Sequence, residues 1–520
     1  MPNDLQMNGM RRKGRCHKKQ KPVTIPHTSL FCFCCVVILF TSCASSKLKT
    51  YNPATKIAAT KLKEDLTVLK KVLEADHPSL YWYTPKDSVD FYFNQTFKSI
   101  TDSLTEFQFR NKVAWFISTL KCGHTSVRSS ETYSDYAALR RPPRFPLLIK
   151  TWADSLIFLG SLNRQDTLMK RGAVITSIEN KSTGYLLDSM FKFISTDGDG
   201  NNFKSQAISF NFPLYYSFAF PLKDSFAISY LDSGEQKQIY VRINKPIIDT
   251  SKKKKLPVLE QPKPSRRQIR QMILLSKRRL ELDSANDLAY MRLSTFSGGR
   301  LRSFFRQGFR ELEENKISNL VIDLRENSGG NINMSTLLTR YLKDKPFHTA
   351  DTVVAVKRPF SNTQYITPSF PYQLAMRFAT VKKDDGRYHF RQLEKHAFKP
   401  FKNHHYNYPV YIIQGGYTFS AAAMFVLQLK GQENVTIVGE QTGGGNYGTS
   451  AVHLPDIILP NSKVRVVLPL YRLVFNSTQA KNGQGIMPDI LVPPSSVDIK
   501  NGIDPKLQKV KELIEEKNIH

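Results

Sequence analysis

The chain has 520 residues, 41% of them hydrophobic and 11% aromatic, which supplies the apolar material for a large folded core and excludes wholesale disorder. Its formal net charge is +31, and a large positive surplus persists without the first 42 residues. That surplus favours anionic neighbours such as lipid headgroups or acidic cell-wall polymer. Nucleic acid is the weakest candidate, because no zinc-finger spacing, RNA-binding sheet motif or helix-turn-helix pattern is present.

In chain order, the first element is an export signal over 1–42. A basic stretch from Arg11 to Lys21 precedes an apolar run, Leu30 to Phe40, too short to span a bilayer of about 30 Å. Phe40-Thr41-Ser42-Cys43 follows and resembles a bacterial lipobox, which makes Cys43 the expected lipidation site and the envelope the expected location, periplasm-facing or at the outer membrane. Outside the signal only Cys43 and Cys122 remain, so an acylated Cys43 leaves no internal disulfide. Residues 43–56 read as a stalk. Over 57–130 the spacing of Leu62, Leu66, Leu69 and Leu73 predicts a helical domain that ends near Cys122-Gly123-His124-Thr125.

From 145 to 247 the pattern changes to short β-rich runs broken by Asp, Gly and Asn: FPLLIKTW, SLIFLG, AVITSIEN, FAISYL and QIYVRI. RGAVITSIENKSTGYLLDSM resembles a PDZ core, a module that binds peptides by strand addition. Residues 248–286 read as a basic linker or exposed helix, with Lys252–Lys255 and a run of arginines able to meet an anionic membrane or cell wall. Over 287–495 strands alternate with helices, which predicts α/β architecture built from βαβ units. The strand candidates are LAYMRL, NLVIDL, PVYIIQ, VTIVGE and VRVVLPL. Residues 372–407, rich in Phe, Tyr, His and Lys, interrupt this core either as a lid or subsite wall or as a surface excursion. A helical tail occupies 496–520.

Three segments of the core carry chemistry. In PVYIIQGGYTFSAAAMFVLQLKG, Ser420 falls at a strand-to-helix junction, where free N–H groups and the helix dipole favour negative charge. The competing reading there is a helix N-cap. DLRENSGG, 323–330, ends a buried strand in two glycines whose N–H groups can approach a ligand. GEQTGGGNYGTS, 439–450, is a glycine-rich loop that lacks the spacing of a phosphate cradle.

Taken with YMRLSTF (290–296) and GIMPDI (485–490), these motifs resemble in order those of the C-terminal-processing, or tail-specific, serine peptidases. The resemblance implies a ClpP/crotonase-like core and a serine endopeptidase acting on peptides or unfolded envelope proteins without metal, nucleotide or other cofactor. It makes Ser420 the nucleophile, with the N–H groups of Ala421 and of Gly329 or Gly330 as oxyanion donors. The family's lysine is missing: the tract Thr442-Gly443-Gly444-Gly445-Asn446 has glycine in its place. The sequence is instead similar to the branch of the tricorn core and interphotoreceptor retinoid-binding protein, whose base is a histidine in a D-G-H-T motif. Cys122-Gly123-His124-Thr125 matches it with Cys for Asp, and His453 is the reserve. That branch places a glutamate before G-(I/V)-x-P-D, where Asn482 stands here, so Asn482 is the expected orienting residue. A non-catalytic binding protein on the same scaffold is the alternative function.

Overall fold

The computed structural model describes residues 51–163, 169–232, 234–245, 264–475, 478 and 480–519. The signal segment, Cys43 and Lys252–Lys255 lie outside them. Asn52–His520 forms one compact unit.

Three helices, Ala59–Asp76, Lys86–Lys98 and Glu106–Thr119, build the N-terminal part. Leu62, Leu66, Leu69 and Leu73 point into its core, as their three-to-four spacing predicts. This core is continuous with apolar residues of the 350–475 region, so the helical part is fused to the rest of the fold. Strand Val127–Arg128 reinforces the junction by pairing antiparallel with Arg465–Val467. That pairing takes VRVVLPL out of the main sheet and into a separate four-stranded one.

The PDZ-like segment folds around its own core. Five of its strands run in the order Leu147–Trp152, Ser155–Ser161, Val174–Ile178, Ser225–Asp232 and Glu235–Arg242, with helices Thr183–Phe191, Asn201–Phe210 and Phe212–Ala219. The free edge of Leu147–Trp152 is not bare. Thr151 N–H donates to Ser209 Oγ at 2.8 Å, and Thr151 Oγ1 donates to the Ser205 carbonyl at 2.7 Å, so helix Asn201–Phe210 occupies that edge.

The core is a six-stranded sheet in the order Arg278–Asp283, Leu288–Leu293, Asn319–Asp323, Val410–Gln414, Val435–Gly439 and Ile490–Leu491. All neighbours are parallel except the first pair. The sheet thus begins within the segment read as linker. Leu280 and Leu282 alternate with charged residues and pack on the core, which makes Arg278–Asp283 a half-buried edge strand. Helices Leu301–Glu314, Ile332–Leu342 and Ala421–Leu429 cover one face. The other face receives Val510 and Ile514 from the C-terminal helix Pro505–Ile519.

Candidate active site

Strand Val410–Gln414 is fully buried and delivers the chain to Gly415-Gly416 and then to Ser420. The turn is pinned by Thr418, whose hydroxyl donates to the Leu324 carbonyl at 2.9 Å, and by Phe419 N–H, which donates to the Asn327 carbonyl at 3.1 Å. Ser420 has φ 53° and ψ −125°, a costly backbone state for a residue with a side chain. It heads helix Ala421–Leu429, yet its side chain makes no capping hydrogen bond. Ser420 thus holds the N-cap position without capping through its side chain, and its Oγ lies 3.0 Å from His124 Nε2.

His124 arrives from the opposite end of the sequence. Helix Glu106–Thr119 ends in a turn in which Lys121 has φ 55° and Thr125 N–H donates to the Cys122 carbonyl. Thr125 Oγ1 also pairs with the buried His77 at 2.8 Å. Gly123 has to be glycine, because a Cβ there would stand 2.4 Å from the Phe419 ring. The His124 and Phe419 rings have centroids 5.2 Å apart. Burial pushes the His124 pKa down to about 4, so the imidazole is neutral at physiological pH.

The other ring nitrogen, Nδ1, lies 3.1 Å from Thr449 Oγ1. Thr449 belongs to strand Gly448–Ala451 and donates in turn to Asp197 Oδ2 at 2.8 Å. Asp197 Oδ1 accepts Gly123 N–H at 2.9 Å. Burial lifts the Asp197 carboxyl to about 6 against the pull of those two hydrogen bonds. Tyr83 and Cys122 also face Asp197, and both are held protonated by burial and by its charge, Cys122 up to about 11. Neither Thr449 nor Asp197 emerged from the sequence. Asp197 sits in STDGDGNN, a stretch that reads as an ordinary Asp-Gly turn.

Asn482, the expected orienting residue, is not brought to the imidazole. It is exposed, and its Oδ1 accepts Gln484 N–H at 3.0 Å. Its neighbour Gly483 is what reaches inward, against Gly198 of the Asp197 loop, where a Cβ on Gly198 would lie 2.3 Å from Gly483 Cα. Glu440 pairs with Lys506 at 2.5 Å and stays out of the site. His453 lines the same cleft between the rings of Tyr372 and Tyr471. Among the described residues it makes no hydrogen bond to Ser420.

The two glycines of DLRENSGG separate in role. Gly329 N–H donates to Asn327 Oδ1 at 2.8 Å and is therefore engaged. A Cβ on Gly329 would lie 2.7 Å from Ser420 Cβ, so this glycine, at φ 103°, provides clearance. Gly330 and Ala421 both line the cleft, and among the described residues no acceptor takes either N–H. Both thus line the same cleft as Ser420. Gly445, at the position where the tail-specific branch has lysine, faces the Gly448 carbonyl and Asp197 Cβ.

The cleft over Ser420 has a volume of about 570 Å³. Ile332, Phe390, Leu393, Met424, Leu473 and Phe475 give it one apolar wall, and among the described residues no Asp, Glu, Lys or Arg lines it. Phe390 and Leu393 come from the 372–407 excursion, which thus forms a wall of the cleft.

Residues 287–492 match the family described as Peptidase family S41. Mature CPAF complexed with lactacystin shares the fold with a TM-score of 0.61 at 15% identity, over 88% of this chain and 98% of that one. A CPAF mutant gives 0.63 at 12% identity, over 88% and 97%. A protein from Parabacteroides merdae described as a putative peptidase matches over 88% of this chain and 97% of that one at 13% identity, with a TM-score of 0.45. No curated protein matches the chain.

Proposed function

We propose, from a chain that carries a serine-peptidase catalytic domain of family S41 at residues 287–492, that this protein is an endopeptidase with Ser420 as nucleophile and His124 as its base. The observation that carries the reading is the 3.0 Å contact between Ser420 Oγ and His124 Nε2, made by a serine whose side chain gives its helix no capping hydrogen bond. Ser420 Oγ–H passes its proton to Nε2 while Oγ attacks the scissile carbonyl carbon. The carbonyl oxygen becomes an oxyanion, and its donors in this reading are the N–H groups of Ala421 and Gly330, a reading supported by both residues lining the cleft with Ser420. Collapse expels the amine, which takes the proton from Nε2, and leaves an acyl ester on Ser420. Water then repeats the sequence with the same base and releases the acid. The apolar wall of Ile332, Phe390, Leu393, Met424, Leu473 and Phe475 supports peptide segments with apolar side chains as substrates.

The location is part of the same proposal: export by the signal over 1–42 and a lipid anchor on Cys43. Helix Arg266–Lys277 supports contact with an anionic membrane. It buries no residue, exposes Ile269, Met272, Ile273 and Leu275, and carries Arg266, Arg267, Arg270 and Lys277 with no acidic residue.

A fluorophosphonate probe tests the nucleophile. Wild type labels and cleaves a fluorogenic peptide, whereas Ser420→Ala does neither and keeps its melting temperature, since Oγ caps nothing. Cleavage by the Ala variant at the wild-type rate would refute the assignment.

A further inference from the structure

The hydroxyl of Thr449 has a single proton to give. It stands between a carboxylate, which only accepts, and an imidazole nitrogen. With the proton directed to Asp197 Oδ2, Oγ1 offers Nδ1 only lone pairs. Nδ1 must then carry the imidazole proton, and Nε2 is left bare toward Ser420. We propose that Asp197, acting through Thr449, is the positioning carboxylate that holds His124 in the tautomer able to accept the Ser420 proton.

Asp197 lies on the loop between helices Thr183–Phe191 and Asn201–Phe210 of the PDZ-like segment, and it is only 3% exposed. That loop is seated by Gly198 N–H on the Lys121 carbonyl at 3.1 Å and by the Lys121–Asp199 ion pair at 2.6 Å. It is further seated by the close Gly198–Gly483 approach. His124, Asp197 and the Ser420/Thr449 pair therefore come from three parts of the chain. The site is complete only while this loop is seated.

The isosteric change Asp197→Asn is diagnostic because Gly123 N–H fixes the amide's orientation. Its Oδ1 must stay opposite that donor, which leaves the NH₂ group facing Thr449. The amide then donates to Oγ1, the hydroxyl turns its proton to Nδ1, and the imidazole proton moves to Nε2, where it faces Ser420.

The proposal rests on His124 being the base, so the test measures kcat and KM for five forms of the full chain: wild type, Asp197→Asn, Thr449→Val, Thr449→Ser and His124→Ala. Asp197→Asn is expected to lower kcat by about 10⁴-fold with KM little changed, as the amide of a Ser-His-Asp triad does. Thr449→Val loses on the order of a hundredfold or more, and Thr449→Ser, which keeps the hydroxyl, stays within about tenfold of wild type. Full kcat in Asp197→Asn beside a dead His124→Ala overturns the relay and spares the base. An active His124→Ala overturns the base itself. If Asp197→Asn fails to fold, the Thr449 pair decides: equal activity of Val and Ser overturns the proposal.

Discussion

The acidic limb of the pH–rate profile separates three accounts of the base. Activity requires a neutral His124 and, through Thr449, an ionised Asp197. His124 is pushed down to about 4 and is already neutral above pH 5. Asp197 is lifted to about 6 and is the later of the two to lose its proton as pH rises. Protonating it creates a carboxylic O–H that can donate to Thr449 Oγ1 and reverse the relay. The other ionisable groups around the carboxyl are Tyr83 and Cys122, both neutral through this range, and the Lys121–Asp199 pair at the outer end of the loop. kcat/KM should therefore rise with pH through about 6. At pH 5 about a tenth of the plateau should remain, against about nine tenths if a pKa near 4 alone governed, and about 3% for a free imidazole near 6.5. The assay is kcat/KM for an uncharged fluorogenic peptide from pH 4 to 8. In Asp197→Asn the limb at 6 should vanish, leaving a low rate that is flat down to about 4. A limb near 6.5 that persists unchanged in that variant would show His124 titrating as a solvated imidazole and refute the reasoning.

Two other outcomes are expected. Gly329→Ala forces a Cβ to within 2.7 Å of Ser420 Cβ and 3.0 Å of Ala421 N, at a φ that side chains resist. It should cost about 10²-fold or more in kcat/KM and about 1–3 kcal/mol of stability, read by denaturant titration, and wild-type kinetics would contradict the clearance role. Cys43→Ser should move the protein from the membrane to the soluble fraction, and unchanged fractionation would count against the anchor.

Ser420 was legible because local signals agree around it: a buried β run, paired glycines and an alanine-rich helix start. His124 was legible only through its short motif, since its partner lies 296 residues away. Asp197 carried no such mark. Its function comes from Gly123 and Thr449, 74 and 252 residues distant, and an Asp-Gly turn looks the same wherever it occurs. The expectation for Asn482 located the correct loop but the wrong contact. That loop does come to the site, where two glycines meet backbone to backbone and leave no room for a side chain. The four central strands of the main sheet were read, but its two outer ones were missed: at Arg278–Asp283 basic residues facing solvent masked the alternation of Leu280 and Leu282, and Ile490–Leu491 is only two residues long. VRVVLPL was misplaced because it pairs instead with two short strands, Asp456–Ile458 nearby and the two-residue Val127–Arg128 far away in sequence.

The spread of the site along the chain governs when the enzyme can first act. A growing polypeptide presents His124 and Asp197 early, but Ser420 and Thr449 only after most of the chain has been made. Even then the groups meet only once the whole tertiary structure has closed over very long loops, a slow and cooperative step. An unfolded chain, or a fragment that lacks either His124 or Ser420, cannot bring the proposed base and nucleophile together.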